Sequence, residues 1–228
     1  MSTREIVLNG VSVDYGNRLA LENVSTRLDA HRIAVIGANG SGKSTFARLL
    51  NGLEAPTSGS LSVHGLDPVR QGKQLRRHVG FVFTNPDAQI VMPTVAEDVA
   101  FSLRGRGLSK SEIAGRVASV LAQNGLGDHA DAPAHTLSGG QKQLLALCSV
   151  LVGEPDLLVA DEPTTLLDAA NTRRIADLFS ALEQQIVLVT HNLRLAERCD
   201  IALRFDGGRL VEQGDPVDVV GRYEREFA

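Results

Sequence analysis

Lys43 and Ser44 close the octapeptide Gly37-Ala38-Asn39-Gly40-Ser41-Gly42-Lys43-Ser44, a run framed by glycines and ending on a cation and a hydroxyl. The pattern G-x-x-x-x-G-K-[ST] is suited to a phosphate chain. Its glycines let the backbone from Asn39 through Gly40, Ser41 and Gly42 turn N–H groups, and the start of a following helix, toward phosphate oxygens. Lys43 is then placed for the β and γ phosphates, Ser44 for Mg²⁺, and Thr45 for the α-phosphate side.

A second chemical element follows Leu157–Ala160, where four apolar residues give way abruptly to Asp161 and Glu162. Ligands in open α/β sheets bind at the C-terminal ends of strands. There Asp161 suits the Mg²⁺ shell, and Glu162 is placed to orient and polarise an attacking water. A third stretch, Leu137-Ser138-Gly139-Gly140-Gln141-Lys142-Gln143, sets a serine and two glycines at a helix start, which makes another anion-binding device. One chain does not need two such devices, so the second is expected to serve a nucleotide held by another subunit.

The pentapeptide Leu137–Gln141 (LSGGQ) resembles, residue by residue, the signature of the ATP-binding cassette family, and the resemblance covers essentially the whole chain. It implies a P-loop NTPase fold with ATP and Mg²⁺ as cofactors. It also implies that Tyr15 stacks on adenine and that Asp161 and Glu162 are the Walker B aspartate and the catalytic glutamate. Asp168, in Thr164–Asp168 (TTLLD), corresponds to the residue linking two active sites, and His191 to the switch histidine at the γ-phosphate. One position departs: after VGFVF the family expects a glutamine, and this chain has Thr84. A threonine hydroxyl is shorter than a glutamine amide. Gln89, in Asn85-Pro86-Asp87-Ala88-Gln89, is the candidate to contribute to the nucleotide site or to coupling.

The run VGFVFTNPDAQIVMPTVAEDVAF is similar to the ATPases of energy-coupling factor transporters, which take up vitamins and transition-metal ions. That resemblance implies a second cassette subunit, in a homodimer by the simpler assumption, together with a transmembrane coupling subunit and a membrane substrate-binding subunit. It places the chain peripherally on the cytoplasmic face of the membrane, with a vitamin, biotin favoured, as cargo. Cobalt or nickel uptake, or a non-transport role such as Fe–S assembly, are the alternatives.

The elements that must position these residues read as α/β. Glu5–Val7, Val11–Tyr15 and Leu19–Leu28 suggest an antiparallel, partly exposed sheet. Arg32–Ile36, Val79–Phe83, Leu157–Ala160 and Ile186–Thr190 are continuous apolar runs, as in parallel strands buried on both faces. A helix is expected from Lys43 to about Leu50. Between Pro86 and Gly153 three helical patterns follow one another: Val95–Leu103, Ser109–Asn124 with Ser109 as N-cap and Glu112 at N3, and Ser138–Val152. The chain therefore reads as one domain over 1–228, with a nucleotide-binding core at 1–85 and 154–228, a helical subdomain at 86–153, and a terminal helix at Pro216–Phe227.

Composition agrees with a folded chain of this size. Its 228 residues are 43% hydrophobic and 22% charged, outside the disordered and collagen-like classes. Twenty-three basic against 27 acidic residues give a net charge of −4, so no global positive field draws the chain to nucleic acid, and none is expected as a partner. No apolar run approaches the ~20 residues that span a bilayer, and the N-terminus carries no export pattern. Cys148 and Cys199 stand alone in apolar surroundings and read as reduced packing residues.

Overall fold

A computed structural model describes residues 4–227; Met1–Thr3 and Ala228, the ends of the expected domain, lie outside them. In β1 (Ile6–Asp14) the residues Ile6, Leu8, Val11 and Val13 are buried, so the alternation slips by one between Leu8 and Val11. Gly10, at φ +60°, absorbs the slip in an irregular register against β2 (Leu19–Leu28). Two expected β-runs are therefore one bulged strand. The opposite edge of β1 pairs antiparallel with Ser58–Val63, so the sheet has the order Leu19–Leu28, Ile6–Asp14, Ser58–Val63. The Ser58–Val63 strand escaped sequence reading because only Leu61 and Val63 in it are buried.

The second sheet is six-stranded. Its elements, in chain order with the helices, are β3 (Arg32–Gly37), α1 (Lys43–Asn51), β4 (Ser58–Val63, of the first sheet), α2 (Gly72–His78), β5 (Val79–Val82), α3 (Val95–Phe101), α4 (Lys110–Gln123), α5 (Gly139–Leu151), β6 (Leu157–Asp161), α6 (Ala169–Ala181), β7 (Gln185–Val189), α7 (Leu193–Ala196), β8 (Ile201–Asp206), β9 (Arg209–Gly214) and α8 (Pro216–Phe227). The strand order is β5-β6-β7-β3-β8-β9, parallel throughout except for β9. Strands β6 and β7 are buried along their full length, which explains their unbroken apolar runs. β8 and α6 went unread because partly or fully exposed positions interrupt their buried ones, and β9 because none of its residues is buried.

Helix α1 packs across this sheet through Phe46, Ala47, Leu49 and Leu50, all fully buried, and the Phe46 ring lies 5.2 Å from that of Phe205 on β8. Phe46, Leu49 and Leu50 each contribute roughly 1.5–3 kcal/mol by leaving water, so the phosphate-type loop before α1 hangs from a rigid element. The expected helices between Pro86 and Gly153 form as α3, α4 and α5. Ser109 caps α4 in a capping box with Glu112, and Ser138 caps α5 in one with Gln141. Cys148 and Cys199 are free thiols, and burial pushes both up to about 12. Among the described residues, no helix is long and apolar enough to cross a membrane.

Candidate functional site

Helix α1 begins without the usual satisfaction of its N-terminus. Its N-cap is Gly42, at φ +104°, no side chain caps it, and its first turn has no acidic residue. Free N–H groups and the positive end of the helix dipole are thus left facing a cleft of about 390 Å³. Glycine is required where it stands: a Cβ on Gly42 would lie 2.6 Å from the Ala20 carbonyl, and one on Gly37 would lie 2.1 Å from the Phe205 carbonyl. The loop can follow this path only because it lacks side chains at those two points.

Tyr15, Asn39, Gly40, Gly42, Lys43, Ser44, Thr45, Glu162 and His191 all line this cleft, so residues from both sheets meet there. Ser41 lies beneath the loop, 2% exposed, with its hydroxyl unpartnered and its carbonyl accepting from Gly208 N–H at 3.0 Å. Lys43 is 5% exposed, and its ammonium donates to the Gly37 and Ala38 carbonyls at 2.8 and 2.9 Å. Desolvation lowers its pKa, while Glu162 and Asp161 oppose that shift. Two cations in the cleft, Arg18 and Arg48, were missed in the sequence, where nothing but the fold distinguishes them from surface arginines.

Asp161 ends β6 behind the loop. Its Oδ1 accepts from the Ser44 hydroxyl at 3.0 Å, and burial raises its pKa against the lowering effect of that bond. Ser44 and Asp161 thus present hard oxygen donors side by side, of the type Mg²⁺ takes. Among the described residues no group of three His, Cys, Asp or Glu could hold a metal. Mg²⁺ in general takes one or two protein oxygens and completes its shell with water and substrate phosphates.

Glu162 follows with φ +54°, a left-handed conformation costing roughly 1–2 kcal/mol for a residue with a Cβ. Its N–H donates to the Val189 carbonyl at 3.0 Å, which continues the β6–β7 ladder and holds the turn. The side chain is consequently aimed into the cleft. Its Oε2 accepts from the His191 main-chain N–H at 3.2 Å and the Thr165 hydroxyl at 2.9 Å. Oε1 lies 3.2 Å from His191 Nε2 but out of hydrogen-bond alignment, and is otherwise unpartnered. A partly buried carboxylate at the cleft wall, with one oxygen restrained and the other without a hydrogen-bond partner, is of the type that can take a proton from an attacking water. At the other end, Tyr15 is half exposed, and its hydroxyl donates to Glu54 Oε2 at 2.6 Å, which raises the phenol pKa.

Gln89 does not reach this cleft, against expectation. Its Oε1 accepts from Phe83 N–H at 3.1 Å, and its Nε2 donates to the Phe81 and Ala146 carbonyls at 3.4 and 3.3 Å. The amide is taken up in fastening the end of β5 to α5. Thr84 does not line the cleft either; its hydroxyl donates to the Asp161 carbonyl at 2.8 Å, behind the residue that faces Ser44.

Ser138, Gly139, Gly140 and Asp168 also lie outside the cleft lining, and they group among themselves. Ser138 Oγ accepts from Gln141 N–H at 3.3 Å. Asp168 caps α6 by accepting from Asn171 N–H at 2.8 Å, and its Oδ2 accepts from Asn171 Nδ2 at 3.2 Å. Gly140 packs on that same Asn171, where a Cβ would come within 2.4 Å, whereas Gly139 faces open space.

Residues 21–165 match the family model described as ABC transporter. The chain is 44% identical over 223 residues to the biotin transport ATP-binding protein BioM of Rhizobium etli, covering 98% of this chain and 99% of that one. It is 36% identical over 208 residues to the energy-coupling factor transporter ATP-binding protein EcfA1 of Bacillus subtilis, covering 89% and 74%. Among solved structures it superposes on CbiO1 of Clostridium perfringens, part of an ABC transporter complex, with a TM-score of 0.86, 30% identity and coverage of 99% and 93%. A dimeric ATP-binding cassette in a post-hydrolysis state with ADP and Pi gives a TM-score of 0.81, 26% identity and coverage of 92% and 98%. With the uncapped helix, the lysine loop and Glu162 in one cleft and Asp161 directly behind it, these likenesses establish that the chain belongs to the ABC transporter family as an α/β P-loop ATPase that uses ATP and Mg²⁺.

Proposed function

We propose that this chain is the ATP-hydrolysing subunit of an energy-coupling factor importer that takes up biotin, acting as a homodimer on the cytoplasmic face of the membrane. The observation that carries the cargo is the 44% identity to BioM along almost the whole length of both chains. Transport requires partners that cross the bilayer. A transmembrane coupling subunit and a membrane substrate-binding subunit are the ones this reading assigns. Residues 86–153 serve as the helical subdomain bearing the signature, and 1–85 with 154–228 as the nucleotide-binding core.

In this reading Tyr15 stacks on adenine. The loop from Asn39 to Gly42, with Lys43 and Thr45, cradles the phosphates, and Ser44 and Asp161 hold Mg²⁺. Bound there, the ion neutralises phosphate charge and fixes the phosphate chain. Glu162 accepts a proton from the water that attacks the γ-phosphorus, and His191 orients the γ-phosphate from beside it. Ser138, Gly139 and Gly140 of one subunit close over the nucleotide of the other, with Asp168 at the seam. The open space at Gly139 and the packing of Gly140 on the Asp168 cap support this, because they hold the signature outward as a preformed surface.

The decisive experiment deletes the gene in its own host and measures uptake of labelled biotin, with copurifying membrane proteins identified in parallel. Loss of biotin uptake, restored by the wild-type chain but not by Glu162→Gln, is the expected result. Intact biotin uptake with lost cobalt or nickel uptake would reassign the cargo. Copurification with no membrane protein would overturn the transport reading.

A further inference from the structure

The turn between β1 and β2 brings a second feature to the cleft besides Tyr15. Tyr15 N–H donates to the Arg18 carbonyl at 3.0 Å and closes the turn, so the two side chains leave it together. Arg18 Nη2 donates to the Gly40 carbonyl at 2.9 Å, at the rim of the phosphate loop, and a Cβ on Gly40 would lie 3.3 Å from that nitrogen. This neutral carbonyl is the guanidinium's only protein partner among the described residues. No carboxylate neutralises it, and it stands exposed in the cleft.

The charge pattern around it is uneven. At the inner end Lys43 is desolvated, turned onto loop carbonyls, and faced by both Asp161 and Glu162. One cation against two carboxylates does not balance a polyphosphate. Arg48, the other cleft arginine, stands in the last turn of α1, away from the loop carbonyls. Arg18 is the permanently charged group at the loop rim, with a planar fork of donors matched to phosphate oxygens and four N–H groups not engaged by the protein.

We infer that Arg18 is a second phosphate-binding cation of this ATPase, taking the nucleotide's phosphate chain from the outer side of the loop while Lys43 takes it from the inner side. The inference rests on the cleft being the nucleotide site. Arg18 binds substrate directly and adds a salt-sensitive attraction that Lys43, already compensated, supplies weakly.

The test separates charge from bracing. Arg18→Gln keeps a donor for the Gly40 carbonyl and removes the charge, while Arg18→Lys keeps charge and donor and loses the fork. The dissociation constants of MgATP and MgADP are measured on the full-length chain by displacement of a fluorescent ATP analogue, at about 0.05 and about 0.3 M NaCl. Arg18→Gln is expected to weaken both nucleotides about 5- to 20-fold at low salt, the range for an exposed charge-assisted contact, with the gap narrowing at high salt. Arg18→Lys should fall between Arg18→Gln and wild type. Affinity within about twofold of wild type for Arg18→Gln, a gap that ignores salt, or Arg18→Lys as weak as Arg18→Gln would each show Arg18 to be a brace and overturn the assignment. Lys43→Ala is measured alongside. If it alone weakens binding, only the role of Arg18 falls; if it too binds normally, the nucleotide does not lie on this loop, and both readings fall.

Discussion

The Thr84 hydroxyl donates a 2.8 Å hydrogen bond to the main-chain carbonyl of Asp161, so the end of β5 is tied to the residue that faces Ser44. The position at which the family carries a glutamine thus braces the site without extending into it. Thr84→Gln is expected to raise MgATP turnover several-fold, because the longer amide keeps a donor for that carbonyl and adds groups able to order the water, each worth on the order of 1 kcal/mol. Steady-state ATPase assays decide it, and an unchanged rate would show that this position does not limit the chemistry.

Gln89→Ala should behave differently. It removes the contacts to Phe81, Phe83 and Ala146 that pin β5 to α5. A loss of roughly 1–3 kcal/mol in unfolding free energy is expected, with MgATP affinity retained. Denaturant titration beside nucleotide binding checks this, and weakened affinity at full stability would return Gln89 to the site.

Glu162→Gln should bind MgATP normally and hydrolyse it about 10²- to 10⁴-fold more slowly, the usual loss for a general base. The amide oxygen can still accept from His191 N–H and Thr165, so the left-handed turn and the cleft survive. Gel filtration should show an ATP-dependent dimer accumulating. Turnover within about threefold of wild type would remove Glu162 from the base role.

Because Lys43 and Ser138 lie on separate surfaces of one chain, Lys43→Ala and Ser138→Arg should each abolish activity, while their mixture recovers part of it. One site of the heterodimer is then intact in both halves, and the other carries both lesions. Activity no higher than that of either variant alone, with chain exchange verified, would mean that each site is built within one subunit.

Burial raises the pKa of Asp161, so ionisation weighs against the nucleotide-free fold. A raised folded-state pKa means that this group's contribution to stability is complete below the unfolded carboxylate pKa and is lost as pH rises through the folded one. Asp161→Asn should therefore melt higher than wild type at pH 7 in the absence of nucleotide, by about 2–4 °C for each kcal/mol relieved. The advantage should disappear in acid, below the carboxylate range, and the variant should lose Mg²⁺-dependent turnover. Calorimetry across pH tests the sign, and a lower melting temperature at pH 7 would refute it.

What the sequence by itself determined were the local devices, because each is written in contiguous residues. The glycines and Lys43-Ser44 specify a phosphate loop, Asp161-Glu162 marks a strand end, and Ser109 with Glu112, and Ser138, mark helix starts, both of which form as capping boxes. The buried strands were legible for the same reason, since burial on both faces leaves an unbroken apolar run. Tertiary structure alone decided what depends on neighbours distant in the chain. Gln89 turns to α5 because the Ala146 carbonyl and the backbone groups of Phe81 and Phe83 lie within reach of its amide. Arg18 becomes a cleft residue because β1 and β2 fold their turn onto Gly40. Glu162 points inward because the ladder to Val189 holds its φ positive. Side-chain type specifies which bonds a residue can make, and only the packed arrangement specifies which partner is within reach.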